Sequence, residues 1–130
     1  MYILDTNAII DFLDGNTNIA QKLKDAFLHD TVKIPDIAYY EILRGFRYKD
    51  PQNQIGVFEK LCRQIGFVDL NLQSLRIASD IWAALRRKGI TIDDDDIFIA
   101  ALSLEHNAVI VTNNIKHFAE IPDIQIENWN

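Results

Sequence analysis

The sequence is short of what builds extracellular, membrane-spanning or zinc-bound proteins. Its 130 residues include a single cysteine, Cys62, so no intramolecular disulfide can form, and a reducing compartment is expected. No apolar run approaches the roughly 18 residues needed to cross a bilayer, and Asp5 interrupts any signal-peptide core, so the expected location is the cytoplasm. The three histidines, His29, His106 and His117, lack metal-site spacing and neighbouring ligands, and read as surface residues. Positive charge is scarce as well: 13 Lys and Arg stand against 19 Asp and Glu, a net charge of −6. This argues against a broad basic surface that holds nucleic acid by neutralising many phosphates. A small acidic site that reaches phosphate through a divalent cation stays open.

What is present is the composition of an ordinary soluble domain, 48% hydrophobic and 25% charged. The length suits one domain over residues 1–130, able to bury its core without disulfides or a structural metal. Cys62, inside a helical stretch, fits as core filler.

Short apolar runs alternate with helical periodicity. Tyr2-Ile3-Leu4 reads as a strand, followed by a polar break and a helix resuming at Ala8. Further helices are expected over Asn18–Leu28, Asp36–Gly45, Ile55–Ile65, Ser74–Lys88 and Ile97–Leu104, the fourth of these placing Leu75, Ala78, Ile81, Trp82 and Leu85 on one face. Strands are expected over Thr31–Ile34, Phe67–Leu70 and Ala108–Val111. A basic stretch from Arg44 to Lys49 and a turn at Asp50–Asn53 separate two of the helices. Strands separated by helices indicate an α/β fold, a central parallel sheet flanked by helices in three layers.

In such sheets, sites form outside the carboxyl ends of the strands. Asp5-Thr6-Asn7 closes the first strand and Thr112-Asn113-Asn114 closes a later one, so both polar clusters emerge on one edge. Asp5 has two readings, a helix cap or a carboxylate at a site. Glu41 likewise either faces solvent or, if its helix packs on the sheet edge, points toward Asp5. The run Asp93-Asp94-Asp95-Asp96 exceeds what a helix N-terminus needs. Asp96 lies three and four residues before Ile99 and Ala100, hence on the buried face, while Asp94 or Asp93 serves as cap or accessory. Carboxylates gathered in one cleft repel unless protons or cations neutralise them, and oxygen donors favour Mg²⁺ or Mn²⁺.

These motifs, LDTN at the start, Glu41 with Ile42 and Gly45, Asp96 opening DIFIAALS, and VIVTNNIKHF, together resemble the PIN domain, in particular the VapC toxins of toxin–antitoxin pairs. The forms TNN and IQIENWN are similar to the branch that cleaves initiator transfer RNA. The resemblance implies a metal-dependent endoribonuclease of PIN-like fold, acting on RNA, with tRNA the expected substrate. It matches Asp5, Glu41 and Asp96 to the family's acids, holding Mg²⁺ or Mn²⁺, and Thr112 to its late hydroxyl. Thr6, Asn7, Asp94, Thr112 and Asn114 would support those ligands. Where the family often carries a fourth acid, this chain has Asn114 and His117. The resemblance also implies a cognate VapB-type antitoxin and a homodimer, with apolar residues around Phe46, Tyr48 and Phe58 as a candidate surface. Arg44, Arg47 and Lys49, and Arg86, Arg87 and Lys88, are either an RNA track or solvated helix ends. Two other readings stand beside this one: a catalytically silent binding module, and an aspartyl-phosphate protein that would need a lysine near Asp5.

Overall fold

Ile3 and Ile110 turn to one side of a sheet and Leu4 and Val111 to the other, and around each pair a separate apolar core is packed. This period of two is the strand pleat. Both faces are covered, which is why these strands read as unbroken apolar runs. The structure, a computed structural model, describes residues 1–49 and 53–130. The turn expected at Asp50-Pro51-Gln52 lies outside the described residues.

The described elements are β1 (Tyr2–Leu4), α1 (Thr6–Leu13), α2 (Thr17–His29), β2 (Val32–Pro35), α3 (Asp36–Lys49), α4 (Gln54–Ile65), β3 (Phe67–Val68), α5 (Leu72–Arg87), α6 (Asp94–Glu105), β4 (Val109–Val111), α7 (Ile115–Phe118) and β5 (Gln125–Glu127). The five strands lie in the order β3-β2-β1-β4-β5 and every pairing is parallel. The chain lays β2 and β3 on one side of β1, then crosses to lay β4 and β5 on the other. The switch in strand order therefore falls between β1 and β4, where Leu4 is in register with Val111. Residues of α1, α2, α3 and α4 fill one core, with Phe58 fully buried and Cys62 beside it; α5, α6 and α7 supply the other. Among the described residues no helix is long and apolar enough to cross a membrane.

Local chemistry explains most boundaries. Asn16 accepts from the Ile19 N–H at 3.0 Å and starts α2; Asn71 and Ser74 form a reciprocal capping box at the start of α5. Gly66 ends α4 at φ +85°, where a side chain would be strained and a Cβ would lie 3.0 Å from the Lys33 ammonium.

Several expectations need correction. The basic stretch is not a linker: α3 runs on through Arg44 and Arg47 to Lys49. The buried stripe of α5 is Ser74, Ala78, Ile81 and Leu85, while Leu75 and Trp82 face out, Trp82 beneath the Arg86 guanidinium at 4.8 Å. The third strand stops at Val68. Helix α6 begins within the aspartate run, at Asp94. Phe58 is core and Phe46 packs edge-on against it at 5.9 Å, so of the three residues offered as an exposed apolar surface only Tyr48 is exposed. Strand β5 and helix α7 were not expected; polar Gln125 and Glu127 flank the single apolar Ile126 in β5.

Candidate active site

Asp5 leaves β1 with extended backbone, φ −72° and ψ 158°, and is the N-cap of α1, its Oδ1 accepting from the Thr6 N–H at 2.8 Å. The capping position is also the strand-end position on the sheet edge, so the two readings of Asp5 are compatible. The carboxylate is 97% shielded from solvent, and its Oδ2 accepts from Asn7 Nδ2 at 2.7 Å and from Thr112 Oγ1 at 2.8 Å. Thr112, buried as well, follows β4 across the switch point, so a register set by apolar pairing delivers both groups together. Asn7 spans the two strand ends, its amide reaching Thr112 Oγ1 at 3.2 Å while its Oδ1 accepts from the Asn113 N–H at 2.9 Å.

Glu41 comes to the same edge from α3. Its Oε1 accepts from Thr6 Oγ1 at 3.1 Å. Burial and the neighbouring carboxylates of Asp95 and Asp5 push its carboxyl up to about 7. Asp95 and Asp96 project from the first turn of α6. Burial holds Asp96 above the usual range for a carboxyl, Asp5 adds to that, and His117 works against it from 3.1 Å, Nδ1 to Oδ2. Burial raises Asp5 too, opposed by its donors from Thr112, Thr6 and Asn7.

Of the acids of the aspartate run, Asp93 and Asp94 are exposed, and Asp95 rather than Asp94 confronts Glu41. Asp93 holds the N-cap position without a side-chain capping bond. Asn114 reaches the site through its backbone N–H, which donates to Thr112 Oγ1 at 3.0 Å, while its side chain is exposed. Three residues escaped sequence reasoning. Asp95 was masked by the acids around it, His117 by its isolation from other ligands. Asn113 was passed over although its side chain donates to Asp11 at 2.8 Å and so pins the β4 exit to α1. Among the described residues, the groups that donate to the Asp5 carboxylate are the Thr6 N–H, Asn7 and Thr112. Among the cations, Arg44 senses the acids: its guanidinium lies 5.0 Å above the ring of exposed Tyr40, which stabilises its charge most, and Asp95 and Glu41 add to that. Arg47 and Lys49 are exposed in the last turn of α3, as are Arg86 and Arg87 in that of α5, with Lys88 as the C-cap.

Glu41 on α3 and Asp96 on α6 are thus held above their usual range by burial and, beyond it, by the negative charge of neighbours that include Asp5, the condition a hard divalent cation relieves. The donors are all oxygens, which suits Mg²⁺ or Mn²⁺ and not a thiolate-seeking metal. Among the described residues no three His, Cys, Asp or Glu side chains are closed around a common point. The donor chemistry fits such an ion.

A family profile described as the PIN domain matches residues 2–124. Ribonuclease VapC1 of Haemophilus influenzae (strain R2866) is 30% identical, covering 99% of this chain and 98% of that protein. The tRNA(fMet)-specific endonuclease VapC of Salmonella typhimurium is 29% identical over 98% of this chain and 97% of its own length. Among solved structures, VapBC2 from Rickettsia felis bound to a promoter DNA fragment superposes with a TM-score of 0.93 at 25% identity, covering 99% and 98% of the two chains. DNA-bound VapBC from Salmonella typhimurium gives 0.91 at 27% identity, with the same coverage.

Proposed function

The chain belongs to the PIN-domain family, among its VapC ribonucleases, and from that premise we propose that it is a toxin whose acidic edge hydrolyses RNA phosphodiester bonds with Mg²⁺ or Mn²⁺. The observation that carries the reading is that Glu41 and Asp96, on separate helices, are both held above the usual carboxyl range, first by burial and then by neighbouring carboxylates, Asp95 and Asp5 for Glu41 and Asp5 for Asp96. Structural ion pairs lower carboxyl pKa values; a cluster that raises them is costly until a cation arrives, and such costs concentrate at functional sites.

Asp5, Asp96 and Glu41 would hold the ion. When bound, a divalent cation makes water a competent nucleophile near neutral pH and offsets charge on the phosphate. The rest belongs to this chain. Thr112 and Asn7 fix the rotamer of Asp5 by donating to one oxygen, and the Thr6 N–H holds the other. The Thr6 hydroxyl orients Glu41, and His117 orients Asp96. Asp95 faces Glu41, and its charge adds to the burial that favours the protonated form of Glu41 until the site is neutralised. Arg44 supplies positive charge at the rim, where it meets the phosphates of an approaching strand.

Transfer RNA is the proposed substrate, by analogy with the Salmonella relative. A VapB-type antitoxin is the proposed partner, as in the complexes this chain resembles. Pairing with a second copy is proposed as well, through exposed apolar residues that include Tyr48, Leu72 and Trp82.

The test is cleavage of total tRNA by purified protein with Mg²⁺ or Mn²⁺, with EDTA, and by the Asp5→Asn and Asp96→Asn variants. Each variant should lose activity by more than about 100-fold, beyond the roughly 10–100-fold typical of groups that merely support a ligand, with an unchanged circular dichroism spectrum. The second reading, a silent binding module, draws on the neutral Asn114 and on His117 beside Asp96. Full activity in both variants sinks the site, and no activity on tRNA, rRNA or mRNA favours the module.

A further inference from the structure

The outward side of α3 carries an aromatic ring and a cation that hydrolysis at the acidic edge leaves without a joint role. At about 100° per residue, buried Ala38 and Ile42 fix the core side of α3, and Tyr40 falls on the side opposite to them. Glu41 lies about 100° from Tyr40 around the axis. Arg44, three residues after Glu41 and four after Tyr40, occupies the strip between the two. Its guanidinium carbon sits 5.0 Å from the centroid of the Tyr40 ring. Tyr40 stabilises that charge most, and Asp95 and Glu41 add to it. Although the guanidinium lies over the ring, Tyr40 remains 55% exposed.

A lone exposed aromatic is ordinary, and an aromatic–arginine pair four residues apart forms on other helices too, as Trp82 and Arg86 do on α5 at 4.8 Å. What distinguishes the pair on α3 is its place. Arg44 lies between the ring and Glu41, and Glu41 is tied to the strand ends by the Thr6 hydroxyl, which donates to it at 3.1 Å. A strand whose phosphate is held among those acids therefore meets, one strip further around α3, a guanidinium and an accessible aromatic ring. Proteins hold single-stranded nucleic acid with this combination: a base lies against the ring, the cation meets the backbone, and every base serves because each has a π face. A paired base keeps its faces inside the duplex and gains nothing from the ring. We infer that Tyr40, with Arg44, is a stacking platform for one unpaired nucleotide beside the phosphate that is cut, and gives the chain a preference for single-stranded RNA; this rests on the ribonuclease reading.

The test is binding of a short fluorescent oligouridylate to Asp5→Asn protein in Mg²⁺, read by anisotropy so that cleavage plays no part. Adding Tyr40→Ala should weaken Kd at least about fivefold, and Tyr40→Leu, which keeps apolar bulk without a ring, should weaken it as much. Tyr40→Phe should stay within about twofold of the parent, since the ring is retained. Position 40 is exposed and helical, so all three variants should keep the parent's circular dichroism spectrum. A single abasic nucleotide is then moved along the oligomer. At one position it should cost the parent about as much as Tyr40→Ala does, yet cost the Tyr40→Ala protein less than about twofold, the coupling expected of a base in contact with that ring. No binding by the parent, unchanged affinity in Tyr40→Ala, an equal loss in Tyr40→Phe, or no abasic position coupled to residue 40 overturns the platform. Cleavage of RNA by the native chain without that coupling removes the platform and leaves the nuclease standing. Coupling without cleavage of any RNA removes the nuclease and leaves the platform.

Discussion

Glu41 and Asp95 carry like charge at close range, and the consequence is visible without any substrate. The ordinary carboxyl value for Glu41 is 4.5, and in the folded chain it is pushed up to about 7. Between those values the native state binds more protons than the unfolded chain, so stability falls as pH rises through that interval. Asp5 and Asp96, also raised, act in the same direction. In EDTA, the thermal midpoint should therefore be higher at pH 5 than at pH 8, and Mg²⁺ added at pH 8 should recover part of the difference, since an ion that binds only the folded form stabilises it. Asp95→Asn and Glu41→Gln should each flatten the pH dependence, whereas Asp94→Asn, at an exposed position, should leave it as it is. A midpoint that rises from pH 5 to pH 8 in EDTA would mean that these carboxylates do not repel.

The elements show which parts of the structure were legible in the sequence. Strands β1 and β4 announce themselves because both faces are buried, and a run such as Val109-Ile110-Val111 has one reading. The meeting of the polar residues at their ends, Asp5 and Thr112, followed from parallel topology. Strand β5 was missed although Ile124-Gln125-Ile126-Glu127 alternates; at the sheet margin, with Gln125 and Glu127 exposed and no apolar run, the stretch is too short to stand out from a loop. On α5, spacing alone could not exclude Trp82 from the buried face; the Arg86 side chain covers its ring instead. Asp95 was unreadable for a related reason, since the direction of each acid depends on where α6 starts, and four identical residues give no clue to that. Asp36 shows a boundary built by a tertiary bond: at the first position of α3, its Oδ2 accepts from the Leu70 N–H at 3.0 Å, tying the helix start to the segment after β3. Its Oδ1 is buried with no hydrogen-bond partner among the described residues. Asp36→Ala should cost about 1–3 kcal/mol, read as a lower urea midpoint at unchanged slope.

At the scale of the whole molecule, a chain of net charge −6 must bring a polyanion to its most acidic edge. Binding through few cations predicts a shallow dependence of KM on salt, because the slope follows the number of phosphates neutralised. Arg44→Ala should raise KM more than it lowers kcat and make that slope shallower still; an unchanged KM would place the RNA on another face. The topology has a further consequence. Asp5 and Thr112 are hydrogen-bonded across 107 residues of sequence, and β4 must dock against β1 before they meet. Pairings of such long range form slowly. A nascent chain carries Asp5 and Glu41 out of the ribosome well before Asp96 and Thr112, with no neighbouring strand end to complete the edge. On the proposed reading the acidic edge stays incomplete until synthesis has passed Thr112 and β4 has docked on β1, so the order of assembly delays the appearance of the nuclease.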